Sequence, residues 1–391
     1  MQMSNAVTLS LQVLFFVSGG LLAYHYALYP AIVVFLARSK TRRTAHAVRT
    51  PVELLPTACV VIAAYNEQRV IGSKLQNTLA LDYPADRLRV IVAAHGSSDA
   101  TADIARSYEQ RGVTVLHDPI RRGKTAALNR ALEVAAAEII VFSDANNMFD
   151  PDAVKKLVAH FADPRVGGVC GLKQIYDAQD RESAVGDGLY WKYESAIKTA
   201  ESQLGSITAA DGEIFAIRRG LYRPLDESLI NDDAAITLDL VRNNYRVLYE
   251  PRARSFEHAS IRIEDDFNVK VRMVSGGFQT VSRNWRFLLP PRGAFTLAFF
   301  SHKILRWLAP EFLVLLFVSN VLLAQQQFYF IVLLAHLVFY GLAMAGWRMR
   351  AQRSLPIAIY VPFYFCTMNL AALFGLYRFL TQSTQWKKAE R

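Results

Sequence analysis

Nothing in the first 37 residues carries the charge of a Lys, Arg, Asp or Glu side chain. Within that stretch Val7–Leu36 is apolar and aromatic, and about 20 such residues suffice to cross a bilayer. Lipid offers no hydrogen-bond partners, so such a segment has to satisfy its own backbone as a helix. A secretory signal is the competing reading. It carries positive charge before the apolar run and a small-residue cleavage site after it. Here the charge comes after the run, as Arg38, Lys40, Arg42 and Arg43. Basic flanks stay in the cytosol. The expectation is a transmembrane helix over 1–40, its N-terminus outside, with the chain beyond Arg38 entering the cytosol.

The other end is apolar again. Phe312–Trp347 holds no charge, Arg348 closes it, and Gln325-Gln326-Gln327 divides it. That pattern predicts a helical hairpin turning on the outer face, with Arg348, Arg350 and Arg353 marking the return. A further span is expected over about Pro356–Tyr377, giving about three transmembrane helices in 309–380. Three spans would place the tail outside, against its Lys387, Lys388 and Arg391; either the last span is re-entrant or the tail is an exception to the charge rule. Ala294–Leu308 mixes Phe295, Leu297, Phe299, Phe300, Ile304, Leu305 and Trp307 with His302, Lys303 and Arg306. This predicts an amphipathic helix in the membrane interface over 294–308; an ordinary amphipathic surface helix is the alternative.

Lys and Arg number 44 against 34 Asp and Glu, a net charge of +10. Nucleic acid, anionic lipid or a phosphorylated substrate would each suit that balance. Basic residues flanking apolar spans already account for much of the excess, so no nucleic-acid partner is expected. The three cysteines, Cys59, Cys170 and Cys366, are far apart and odd in number. They form neither a full disulfide framework nor a metal-ligand spacing, which points to a reducing compartment.

Between the apolar ends the period changes. Short buried-strand runs occur at Cys59–Ala64, Arg89–Ala94, Val113–Leu116 and Ile139–Ser143. Helical patterns such as Thr101–Gln110 and Thr125–Ala136 lie between them. Strand–helix alternation predicts an α/β domain over 50–290 with a mostly parallel sheet. In such sheets ligands bind at the carboxyl ends of the strands. Tyr65, Asn66 and Glu67 come after the first run, His95-Gly96-Ser97-Ser98-Asp99 after the second, and Asp144-Ala145-Asn146 after the fourth. The three sets should converge on one edge.

Asp144 and Asn146 offer oxygen ligands two residues apart, which with a substrate diphosphate would suit Mg²⁺; a helix N-cap before Pro151-Asp152 is the local alternative. Asp232 and Asp233 begin a helical stretch. There they either favour the helix dipole or supply a general base. Arg121-Arg122-Gly123-Lys124 precedes another helix, as solvated surface or as a phosphate contact. Its glycine spacing is not that of a P-loop. Tyr190-Trp191-Lys192-Tyr193-Glu194 offers aromatics for core packing or for a sugar face. The histidines show no zinc-ligand spacing.

Taken in order, these motifs resemble the family 2 glycosyltransferases, over about Pro56–Trp307. The order is Ala64-Tyr65-Asn66-Glu67, Gly96-Ser97-Ser98-Asp99, Arg122-Gly123-Lys124, Phe142-Ser143-Asp144-Ala145-Asn146, Ala210-Asp211-Gly212, Asp232-Asp233 and Tyr249-Glu250-Pro251. The flanking helices resemble the membrane-bound branch, which includes cellulose, chitin, hyaluronan and poly-N-acetylglucosamine synthases. The resemblance implies a GT-A (Rossmann-like) fold with transmembrane helices, and inverting transfer from a nucleotide sugar with Mg²⁺ or Mn²⁺. By this resemblance Tyr65, Glu67, His95, Lys124, Asp144 and Arg272 face the donor. Asp144 and Asn146 match the metal-binding DxD, with Asn146 in the second place. Asp233 matches the catalytic base and Asp232 the acid before it; Ala210, Asp211 and Gly212 resemble the acceptor loop. Two positions depart from the family. His95 stands where an Asp helps to hold the nucleobase, so a UDP-sugar is the first expectation but another base stays open. Val269-Lys270-Val271-Arg272-Met273 stands where processive synthases have QxxRW; Arg272 is kept, for the diphosphate, while the Gln and Trp are absent.

The implied activity is transfer of a sugar to a lipid-linked or polysaccharide acceptor at the cytosolic face of the inner membrane, by a multi-pass protein. A processive synthase that also translocates its product, alone or with an accessory subunit, is the nearest alternative. A nucleotide-binding regulator without catalysis is the alternative of another class.

Overall fold

The computed structural model describes residues 4–41, 55–176, 183–258, 263–291, 293–350 and 355–382. Arg42, Arg43, Arg353, Lys387, Lys388 and Arg391, on which part of the topology reading rests, lie outside them. The chain divides into two compact units. One comprises Met1–Phe35, Gln179–Tyr190 and Ser260–Arg391, the other Leu36–Ala178 and Trp191–Ala259.

In chain order, α1 (Asn5–Ala23) runs through a π-helical turn at Tyr24–Leu28 into α2 (Tyr29–Thr41). The α/β part consists of β1 (Ala58–Ala63), α3 (Ile71–Leu79), β2 (Leu88–His95), α4 (Thr101–Arg106), β3 (Val113–Asp118), α5 (Lys124–Val134), β4 (Ile139–Asp144), β5 (Met148–Phe149), α6 (Ala153–Val158), β6 (Val166–Tyr176), α7 (Ser183–Leu204), β7 (Phe215–Arg218), α8 (Asp232–Arg242) and β8 (Arg246–His258). Then come α9 (Ile263–Leu288), α10 (Ala294–Phe299), α11 (Leu305–Trp307), α12 (Ala309–Leu323), α13 (Gln327–Met349) and α14 (Ile357–Thr381).

The eight strands form one sheet in the order β3-β2-β1-β4-β7-β6-β8-β5. Its first half is parallel throughout: β1 pairs with β2 and β4, and β2 with β3. Beyond β4 the sheet is mixed, because β7 runs antiparallel to both β4 and β6, and β5 antiparallel to β8. The four strands read from sequence are the parallel ones. Fully buried parallel strands read as unbroken apolar runs, as in β1, Ala-Cys-Val-Val-Ile-Ala. Strands β6 and β8 escape that rule. The first carries Gly167, Gly168 and Gly171; the second carries Pro251 and three arginines.

Alternate strand residues feed two cores. Val60, Ile62, Val90 and Val92 pack with Ile71 and Leu75 of α3 and with Val154 and Leu157 of α6. Cys59, Val61, Ile91, Ala93, Ile140 and Phe142 pack with Leu128 and Leu132 of α5 and Ile236 of α8. By this alternation His95 and Asp144 fall on the α5 face. Cys59 and Cys170 are buried free thiols.

Three helices among the described residues are long and apolar enough to cross a membrane: Asn5–Lys40, Gln327–Met349 and Ile357–Thr381. The first arm of the expected hairpin is shorter. α12 has 15 residues, about 22 Å of helix against a hydrocarbon core of about 30 Å. It reaches a spanning length only with Ala294–Trp307, from which it bends by 59°. Phe299, Ser301, His302, Ile304 and Leu305 of that preceding segment are buried within the unit. A second π-helical turn, Phe300–Ile304, bonds the first: Tyr24 Oη and Ser301 Oγ are 2.8 Å apart, and His25 Nδ1 lies 2.9 Å from the Ser301 carbonyl. Hydrogen bonds of this kind join apolar helices that have no hydrophobic reason to associate in lipid.

Candidate active site

Strands β1, β2 and β4 end side by side: Ala63 lies in register with both Ala93 and Asp144. The loops after β1 and β2 are knitted together by short polar side chains. Asn66, at a φ of 53°, receives a hydrogen bond from Ser98 N at 2.9 Å and gives its own N–H to Ser97 Oγ at 3.2 Å. Glu67 N donates to Thr101 Oγ1 at 2.7 Å, and Asp99 accepts from Gln68 N and Thr101 N. Asp99 is thereby spent on backbone. The Tyr65 ring carries the Arg121 guanidinium 4.2 Å from its centroid. Gly96 has a φ of +71°, and a Cβ there would lie 2.6 Å from Arg121 Cβ. Both facts require glycine.

His95 ends β2 opposite Asp118. It is buried, and neither ring nitrogen has a partner among the described residues. Desolvation lowers its pKa, against the attraction of Asp118.

The charged centre is built on two helix starts. Lys124, the first residue of α5, places Nζ 2.8 Å from Asp144 Oδ1. Desolvation alone would lower Lys124, but Asp144, Asp232 and Asp233 outweigh it and raise its pKa. Asp232 and Asp233 open α8. Asp233 Oδ1 accepts from Ala234 N at 2.7 Å and Oδ2 from Gly212 N at 3.2 Å. Desolvation and the neighbouring Asp232 raise Asp233 to about 7, against the pull of Lys124. A Cβ on Gly212 would stand 3.6 Å from Asp233 Oδ2 and 3.7 Å from Lys124 Nζ. Gly212, Asp233, Lys124 and Asp144 thus form one constellation.

Several supports were not legible as motifs. Lys74 on α3 is fully buried; its Nζ donates to the Asn147 carbonyl at 2.5 Å and lies 4.0 Å from the Phe149 centroid. Desolvation lowers it to about 7, with Asp144 opposing. It fixes the loop after β4 from beneath. Lys198 of α7 pairs with Asp211 at 2.6 Å, and Asp211 N donates to Cys170 Sγ at 3.1 Å. Asn146 Nδ2 donates to Glu257 Oε1 at 2.7 Å. Of the residues expected at the site, Arg272 is on α9, in the helical unit, and exposed. Glu250, in the Tyr249-Glu250-Pro251 motif, binds His160 and Arg252 and serves β8 itself.

Residues 59–225 match the family described as Glycosyl transferase family 2. This part of the chain is a family 2 glycosyltransferase domain. The poly-beta-1,6-N-acetyl-D-glucosamine synthase of Staphylococcus epidermidis is 26% identical over 268 residues, 66% of this chain and 64% of that protein. The synthase of the same name from Staphylococcus aureus (strain COL) is 27% identical over 233 residues, 58% of this chain and 55% of the relative. The chain therefore spans less than two thirds of the length of these relatives. Among solved structures, the mannosyltransferase PcManGT from Pyrobaculum calidifontis, in complex with GDP-Man and Mn²⁺, superposes with a TM-score of 0.73 at 22% identity. The superposition covers 95% of this chain and all of that one. The chain thus has the GT-A fold, with a mixed sheet and apolar helices after it.

Proposed function

We propose that this glycosyltransferase moves a sugar, with inversion, from a nucleoside diphosphate sugar to a hydroxyl of a lipid-linked or polysaccharide acceptor. The observation that carries the reading is the Gly212–Asp233–Lys124–Asp144 constellation. Asp233, raised to about 7, is poised to take a proton from an acceptor hydroxyl near neutral pH. General-base help of this kind is worth about 10²–10⁴-fold. The Gly212 N–H orients its carboxylate, and Asp232 keeps its proton affinity high. Lys124 meets the departing diphosphate with fixed positive charge. Tyr65, Glu67 and His95 line the donor side, and Ala210, Asp211 and Gly212 the acceptor side.

A divalent cation fits the residues present. Asp144 offers a carboxylate, and the Asn146 amide, held through Nδ2 by Glu257, leaves its carbonyl oxygen for a hard ion. Among the described residues no group of three or more His, Cys, Asp or Glu could hold an ion alone, which suits one bound partly by substrate phosphates. When bound, Mg²⁺ or Mn²⁺ would supply Lewis-acid stabilisation of the leaving diphosphate.

We place the domain on the cytosolic face of the inner membrane, where the helical unit anchors it and a lipid-linked acceptor presents its sugar. Polymer synthesis is the companion reading, supported by the names of the curated relatives. The test is release of nucleoside diphosphate by the full chain in membranes, with UDP-, GDP- and dTDP-sugars and Mg²⁺ or Mn²⁺. Turnover with one donor, lost in Asp233→Asn, supports the reading; equal turnover in that variant overturns it. Product size then separates single transfer from polymer.

A further inference from the structure

Lys173 lies in β6, in register with the buried Ser255 of β8. It is 8% exposed, and Glu257 at the end of β8 is 4% exposed. Removing both charges from water is costly unless each is matched. Lys173 Nζ donates to Glu213 Oε1 at 2.6 Å and also contacts Glu257 Oε2. Glu257 turns its other oxygen to Asn146 Nδ2 at 2.7 Å. Two separate loops therefore end on one ammonium group. Through Glu257 it reaches Asn146, two residues after Asp144. Through Glu213 it reaches the residue after Gly212, whose N–H holds Asp233.

We propose that Lys173 is a positioning residue that sets the cation-binding loop and the catalytic-base loop in one register, with Glu257 and Glu213 as its two arms. The proposal rests on the function proposed above and deepens it. On the first arm, Glu257 fixes which end of the Asn146 amide faces the cation: with Nδ2 held, the oxygen is left for the ion. The same contact brings a carboxylate close to the second DxD position, where the chain has lost one. On the second arm, Glu213 anchors the acceptor loop just beyond Gly212, while Lys198 anchors Asp211 just before it. The N–H between two pinned residues has little freedom to leave Asp233.

The arms can be cut one at a time. Glu257→Gln and Glu213→Ala each leave Lys173 with one carboxylate, so a matched pair remains buried. The measurements use the full chain in lipid nanodiscs: binding of GDP and of UDP, each with Mn²⁺, and donor KM and kcat. Glu257→Gln is expected to weaken Mn²⁺-nucleotide binding about tenfold, as loss of an outer partner of a ligand does, and to raise donor KM with kcat little changed. Glu213→Ala is expected to leave binding within about twofold and to lower kcat about tenfold or more, as misplaced catalytic groups do. Lys173→Met, where it folds, combines both losses. A purely structural brace would instead lower the yield of folded protein and leave KM and kcat of the folded fraction alone. If both single-arm variants bind and turn over like the parent while Asp233→Asn is silent, the brace is wrong and the proposed function stands. If Asp233→Asn turns over, the proposed function fails, and the nucleotide-binding arm still decides whether Glu257 serves the cation loop.

Discussion

On the parallel half of the sheet the loops are tied by Asn, Ser, Thr and Asp side chains spent on backbone groups, as Asn66, Ser97, Asp99 and Thr101 show. On the mixed half they are held by buried lysines, Lys173 and Lys198, on Glu213 and Asp211. The two devices differ in what they risk. A neutral hydrogen bond contributes about 0.5–1.5 kcal/mol, and several share the load. A buried ion pair contributes little net, but removing one partner strands the other charge, at about 3–5 kcal/mol. The parallel half should therefore tolerate single substitutions and the mixed half should not. Between the halves stand Lys124, Asp144 and Asp233, the charged centre to which the catalysis is proposed to belong.

The comparison breaks most visibly at that centre. Asp233→Asn should cut turnover by at least about 10²-fold, measured as nucleoside diphosphate release. It should also stabilise the domain. A carboxylate whose folded pKa is raised destabilises the fold above its unfolded pKa of about 3.9, and fully so above the folded value. At pH 8 the Asn variant should melt higher by about 2–4 °C per kcal/mol recovered; at pH 3 the difference should vanish.

Next in size is Lys198→Met, which leaves Asp211 without its ammonium. It should cost about 3–5 kcal/mol in denaturant titration and lower the yield of folded protein. Asn66→Ala, on the donor side, should cost only about 1–2 kcal/mol and show itself mainly as a higher donor KM. Equal losses at the two positions would erase the contrast between the halves.

A smaller effect sits at the far end of the mixed half. Glu250 is buried, and although desolvation pushes its pKa up, Arg252 and His160 outweigh that and hold it well below the usual carboxylate range. Its contribution is present above the unfolded pKa and lost as pH falls toward the folded one. Acid stability of the parent should therefore decline more steeply below about pH 4.3 than that of Glu250→Gln, followed by melting temperature.

The same contrast explains what could be read from sequence. The parallel strands and the residues at their ends were legible, because buried parallel strands are continuous apolar runs and the ligand edge is set by topology. Lys124 pairs with Asp144, and Asp233 lies close enough to raise its pKa. The apolar ends were legible too, by length and charge alone, although the bend that shortens α12 was not. Strands β6 and β8 were hidden by glycines, Pro251 and arginines. Lys74, Lys173, Lys198 and Glu257 were hidden for a related reason. A charge inside a strand or helix pattern reads as solvent-facing until its partner, 13 to 84 residues away, is known. Glu213 stood beside the acceptor motif but was not singled out, since adjacency says nothing about pairing.

The central claim is that Asp233 is the base of a sugar transfer. Its most direct test is the pH dependence of kcat/KM for nucleoside diphosphate release, with the donor that turns over, in the parent and in Asp233→Asn. A base acts when deprotonated, so the parent's rate should rise with pH through about 7, in step with the raised pKa of Asp233, and the Asn variant should show no such limb. A parent rate flat from pH 5 to 8 (about three decades of proton activity), or a variant that keeps both the limb and the rate, would contradict it.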